Sequence, residues 1–206
     1  MPRIRADSIN EHKALTRRAI LESAEALIAE LGTAEIPLGH LTSKAGIGRT
    51  TFYDYFIDRD DVIASLVEEE LPSVIEGLIA GVETASIPDR LVDLVVAMIG
   101  FVVDHPVLGV ILHREVPRLG AEAQRRIMVA HADLSREMAS VYRSGVADGV
   151  LRNLDSELVG RLFQDTIMSA AKTVIASDEP RARAATVIAD IRTFLLGGLV
   201  VDSDNN

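Results

Sequence analysis

Apolar side chains recur at three- and four-residue steps along most of this chain, the spacing of helices buried on one side. Ile20, Ala24, Leu27, Ile28 and Leu31 make one such stripe, and Gly32 follows as a stop signal. Leu38, Leu41 and Ala45 share a second, shorter face that Gly46-Ile47-Gly48 breaks. Arg49 to Phe56 predicts a third short helix with Phe52 and Phe56 four apart on its inward side. Asp58 is placed to cap a fourth helix, with Asp60 and Asp61 in the first turn, where the helix dipole favours negative charge. That helix is expected to end before Pro72. Further breaks fall at Ser86-Ile87-Pro88, His105-Pro106, Pro117, Gly145 to Gly149 and Ser177 to Pro180. Between them the pattern predicts a long helix from Gly120 to Arg143 and two more, Ser156 to Ala176 and Pro180 to Leu199. No period-2 alternation of useful length and no internal repeat is present. The expected fold class is all-α, with nine helices.

Composition narrows the chemistry. Hydrophobic residues make up 48% and charged residues 25% of the 206 positions, ordinary for a chain that buries a real core. Without cysteine there is no disulfide framework, thiolate nucleophile or Cys-ligated metal. The N-terminal stretch lacks the apolar segment of a secretory signal, and the longest apolar run, Leu94 to Val103, is about half a membrane span. A cytoplasmic protein with no membrane partner is expected. The net charge of −10 is unevenly placed: the first sixty residues carry eight basic and nine acidic side chains, the remainder thirteen and twenty-two. Within the first eighteen residues the balance turns to five basic against two acidic, a local hint of polyanion contact at one end.

The window from Leu38 to Val62 is the most informative. Two short helices joined by a tight turn at Gly46 match the helix-turn-helix, which lays its second helix in the DNA major groove. The outward residues of that second helix would be Arg49, Thr50, Thr51 and Tyr53, with Asp54 and Tyr55 near its end. Arginine pairs bidentately with guanine, and a threonine methyl contacts the thymine methyl. Tyr53 and Tyr55 offer hydroxyls to phosphate oxygens, contacts that fix register without reading sequence. Thr42 on the preceding helix is a further candidate on the DNA side.

The run from Leu41 to Val62, Leu-Thr-Ser-Lys-Ala-Gly-Ile-Gly-Arg-Thr-Thr-Phe-Tyr-Asp-Tyr-Phe-Ile-Asp-Arg-Asp-Asp-Val, resembles the DNA-binding signature of the TetR family of transcriptional regulators. The helix from Arg17 to Gly32 is similar to that family's first helix. By this resemblance Tyr53 and Arg59 would face phosphate, Arg49, Thr50 and Thr51 would lie at the groove, and Arg17 would open the first helix near the backbone. Three positions depart from the pattern: Gly48 replaces a Ser or Thr cap, Pro37 replaces a Thr, and Asp54 is acidic where basic or aromatic residues are frequent.

The resemblance also implies a homodimer, a small-molecule effector and a C-terminal helical domain for both. Residues 1–60 would be the helix-turn-helix domain, three helices, and 61–206 the effector-binding and dimerisation domain. Apolar stripes at Ile167, Ala170, Ala171 and Val174, and at Ile191, Phe194, Leu195 and Leu199, are candidates for the dimer interface. Met98, Phe101, Val102, His105, Ile111, His113, Met128, His131 and Phe163 are candidates for the effector pocket. No HExxH, no His pair at four-residue spacing and no phosphate-cradling glycine loop is found, so neither enzyme chemistry, metal nor cofactor is expected. The expected function is a ligand-responsive, sequence-specific repressor of transcription that binds double-stranded DNA and is released by its effector. Asp54 and the near-neutral first sixty residues keep one alternative open, a helical ligand-binding or adaptor dimer that has lost DNA binding.

Overall fold

A computed structural model describes residues 6–82 and 86–201, with side chains from Ile9 onward. Among them are ten α-helices and one isolated antiparallel bridge, Leu151 with Val200. The residues cluster into two compact units: those up to Glu70 together with Val110–Ile127, and Leu71–Gly109 together with those from Met128 onward. The sequence boundary between residues 60 and 61 falls inside a helix that runs unbroken across it.

The first unit opens with α1 (Ala6–Leu31), whose Ile20, Leu21, Ala24, Leu27 and Ile28 are buried. Gly32 ends it at φ +62°, a conformation glycine adopts freely, and its N–H donates to the Ile28 carbonyl at 2.8 Å. Then come α2 (Leu38–Lys44), α3 (Arg49–Phe52) and α4 (Arg59–Gly81), of which the residues up to Glu70 belong to this unit. Asp58 caps α4 as expected: its carboxylate accepts the Asp61 N–H, and Asp61 in turn accepts the Ile57 N–H, both at 2.8 Å. The helix does not stop at Pro72 but continues to Gly81. Pro72 lies on the exposed side, while Val67, Leu71 and Ile75 keep the opposite side buried.

The later segment of this unit follows α6 (Pro106–Val110): a π-helical turn at Ile111–Glu115, a 3-10 turn at Val116–Arg118 and α7 (Ala121–Ala130). The helix expected from Gly120 to Arg143 is in fact two, α7 and α8 (Ala132–Ala147), broken at His131.

In the second unit α5 (Ile87–Asp104) packs against α8, α9 (Ser156–Ile175) and α10 (Pro180–Leu199). Ser86 caps α5 by accepting the Asp89 N–H at 3.2 Å, and Asp155 caps α9 by accepting the Leu158 N–H at 2.8 Å. Leu91, Leu94, Val95, Met98, Ile99 and Phe101 make α5 the buried centre. Arg192 of α10 pairs with Asp93 of α5, and Arg90 of α5 with Glu137 of α8 at 2.8 Å. The loop after α8 is held by Tyr142, whose hydroxyl donates to the Arg152 carbonyl and accepts the Leu154 N–H, each at 3.0 Å.

Candidate nucleic-acid interface

The turn between α2 and α3 is built on backbone geometry. Gly46 sits at φ +68°, and the Ile47 N–H returns to the Thr42 carbonyl at 3.0 Å. Gly48 occupies the cap of α3 in extended backbone (φ −78°, ψ 157°) and supplies no side-chain bond, as its identity dictates. The regular helix is a single turn, Arg49–Phe52, shorter than the segment to Phe56 that the sequence predicts. Beyond it Tyr55 and Phe56 N–H groups both donate to the Phe52 carbonyl, at 3.0 and 3.1 Å.

Phe52 and Phe56 are buried with ring centroids 5.9 Å apart, and Tyr53 meets Phe52 edge-on at 5.4 Å. This aromatic anchor fixes which side of α3 faces out. Arg49, Thr50 and Asp54 are exposed, Tyr53 is 60% exposed, and Thr51 and Tyr55 are half-buried. An Arg, two Thr and two Tyr along one short segment can offer cationic, methyl and hydroxyl contacts to a duplex.

Three candidates stand differently. Thr42 is buried, and its hydroxyl donates to the Gly39 carbonyl at 3.3 Å. It is a core residue of α2 rather than a DNA contact, because Leu41 and Thr42 together form the helix's inward side. Arg17 of α1 is half-buried over the Phe56 ring, 5.3 Å from its centroid, and forms an ion pair with Glu69 of α4. Arg59 donates to Asp60 from Nε and Nη2, at 3.1 and 2.9 Å.

Sequence reasoning missed the residues that hold the start of α4. Asp60 accepts the Gly120 N–H at 2.8 Å, and Arg126 of α7 reaches Asp61 at 2.6 Å, Ser65 at 2.9 Å and Glu68 at 2.9 Å. Asp61, Ser65 and Glu68 lie four and three residues apart, one side of α4. These carboxylates raise the pKa of the Arg126 guanidinium still further, Glu68 most. Partners 58 to 65 residues away leave no local trace in the sequence. Helical spacing within α4 was the only available signal.

The pocket candidates divide between the units. Met98, Phe101 and Val102 of α5 and Phe163 of α9 are buried in the second. His105 is exposed at the end of α5 with its ring stacked on Phe101 at 5.2 Å, and His131 is half-buried, its pKa lowered by burial. Met128 is 69% exposed, against the expectation, because Ile127 takes the inward position of α7. Ile111 and His113 belong to the first unit and are buried in the π-helical turn, as is Glu115, which accepts from Arg114 at 2.8 Å.

The interface candidates are corrected more broadly. Ile167, Ala170, Ala171, Val174, Leu195 and Leu199 are buried within the single chain, where they fill its own core, and Ile191 is half-buried. Phe194 alone of the eight is strongly exposed, at 69%. α9 also exposes Leu158 and Leu162, one residue out of step with buried Val159 and Phe163, so it carries two apolar sides. No single described helix is long and apolar enough to cross a membrane.

Comparison with known proteins agrees with this architecture. A family model described as "Tetracyclin repressor-like, C-terminal domain" matches residues 84–172. The fatty acid metabolism regulator protein of Bacillus subtilis is 21% identical over 162 residues, 78% of this chain and 84% of its own. The crystal structure of the regulator FadR from Bacillus subtilis with stearoyl-CoA superposes with a TM-score of 0.73 at 20% identity, covering 88% of this chain and 98% of that one. The ketosteroid transcriptional regulator KstR2 of Mycobacterium tuberculosis gives 0.67 at 23% identity, over 90% and 95% of the two chains.

Proposed function

We propose that the chain is a TetR-like transcriptional regulator, a homodimeric repressor released from its operator by a small apolar effector. The observation that carries the reading is the anchored, outward-facing α3: buried Phe52 and Phe56 below, exposed Arg49, Thr50 and Tyr53 above. Residues 1–60 serve as the DNA-binding domain and 61–206 as the effector and dimerisation domain, in the cytoplasm. Arg49, Thr50 and Thr51 meet the groove, and Tyr53, Tyr55, Arg59 and Arg17 meet phosphate. Two such helices on a two-fold dimer engage half-sites about 34–36 Å apart, one turn of DNA.

The dimer forms through the outer sides of α9 and α10, with Leu158, Leu162 and Phe194 at its centre. The effector occupies the region of Met98, Phe101, Val102 and Phe163. FadR was crystallised with stearoyl-CoA and KstR2 is named for ketosteroids, so a ligand with a long or broad apolar body is the class to try first. Effector binding changes the tilt of α4 and so the spacing of the recognition helices. Effector and operator then weaken each other reciprocally.

A gel shift on promoter DNA from the protein's own gene neighbourhood, across a salt series, tests this. Specific complexes should weaken steeply as salt rises through counterion release. Tyr53→Phe and Arg59→Ala should weaken every sequence alike. Arg49→Ala should cost about 1–3 kcal/mol of discrimination if it reads a base. Absence of any salt-sensitive complex would favour the adaptor reading instead.

A further inference from the structure

The Arg17 guanidinium lies beside the recognition segment, over the ring of Phe56, which itself packs on Phe52. It also lines a cleft of about 520 Å³ between α1 and α4, shared with Arg18, Glu22, Glu25, Glu69 and Glu70. Four carboxylates against two guanidiniums make that cleft net acidic. Burial, then Glu25 and Glu69, push the Glu70 carboxyl above the ordinary carboxylate range, as expected where negative charge is crowded. Arg18 is taken by Glu22 at 2.7 Å. Arg17 is taken by Glu69, two turns or more into α4, and both side chains of that pair remain partly open to solvent.

We infer that Glu69 is an internal rival of DNA phosphate for the Arg17 guanidinium, and so sets the protein's general affinity for DNA. This rests on the DNA-binding reading above. The aromatic ring holds the guanidinium in place from one side, and only the carboxylate side is exchangeable. In the free protein the positive charge is cancelled; on the duplex a phosphate oxygen replaces the Glu69 carboxylate. The exchange leaves the Glu69 carboxylate unpaired, a cost that a free arginine would not bear. A moderately acidic chain thereby avoids holding non-specific DNA at this point while still offering the contact on a well-seated duplex.

Binding to a short duplex of arbitrary sequence, followed by fluorescence anisotropy over a KCl series, tests it with the full-length protein. Glu69→Gln keeps the side chain's shape and is expected to bind roughly fivefold tighter at about 0.1 M salt, with the log–log salt slope unchanged because the same phosphates are neutralised. In an Arg17→Ala background the same substitution should not change the affinity. Glu179→Gln, at the start of α10, removes the same unit of charge and serves as the comparison. A Glu69→Gln gain that survives in Arg17→Ala, or that Glu179→Gln reproduces, overturns the inference in favour of a net-charge effect. Unchanged or weaker binding by Glu69→Gln also overturns it, and makes Glu69 a residue that positions Arg17. If neither the wild-type chain nor any variant binds a duplex in a salt-sensitive way, the DNA-binding reading itself falls.

Discussion

Single side chains at this molecule's sites are decided by which neighbour claims them. Thr42 looks from sequence like one more hydroxyl near DNA, yet Gly39 takes its proton and the core takes its methyl. Phe52, by contrast, was legible: an aromatic four residues from another, between turn signals, had to point inward. His131 marks a helix break that the sequence hides, because nothing around it is Pro or Gly. Burial lowers its pKa below the ordinary value of 6.5, so the folded state resists a proton that the unfolded chain accepts. The unfolded state then binds more protons as pH falls, and stability must drop below about pH 6.5. Replacing it by His131→Gln should flatten that acid-side loss. Urea midpoints measured on both sides of that pH would show it, and an equal decline in wild type and variant would count against the assignment.

At the scale of elements, helix starts are more legible than helix ends. Asp58, Ser86 and Asp155 cap as their side chains suggest. Pro72 misled, since a proline usually stops a helix, but one on the water side can be carried through by the buried residues opposite. Pro72→Ala should therefore stabilise the protein, by roughly 1–3 kcal/mol, because it restores an amide donor and relieves the ring's crowding. Chemical denaturation reads this directly; a loss of stability would mean that the bend at Pro72 is needed for packing. α9 shows the complementary difficulty. Its stripe of Phe163, Ile167, Ala171 and Val174 is visible at once and belongs to the chain's own core, while the outer pair Leu158 and Leu162 is easily read as part of the same stripe. Only knowing which side α5 and α10 occupy separates them.

For the whole molecule, all-α class and the helix-turn-helix were within reach of periodicity and turn chemistry, and the similarity to known regulators agrees with both. What could not be read was long-range: Arg126 with Asp61, Ser65 and Glu68, and Gly120 with Asp60, which draw a segment from the middle of the chain into the unit that contains α3. Such contacts depend on tertiary placement and leave no spacing rule behind. Quaternary structure is the property most open to test at this scale. Phe194→Asp should place a charge in the proposed interface and convert the dimer to monomers, since an unpaired buried charge opposes association. Sedimentation velocity would show it, and a dimer of unchanged strength would move the interface elsewhere.

The chain has no tryptophan and three tyrosines, and two of those, Tyr53 and Tyr55, stand on the segment that follows Arg49. Its ultraviolet emission is therefore dominated by rings at the place where a duplex would dock, with Tyr142 as a buried reference far along the chain. Unlabelled protein can report its own titration with DNA, and a single introduced indole anywhere else would be a spectrally private beacon.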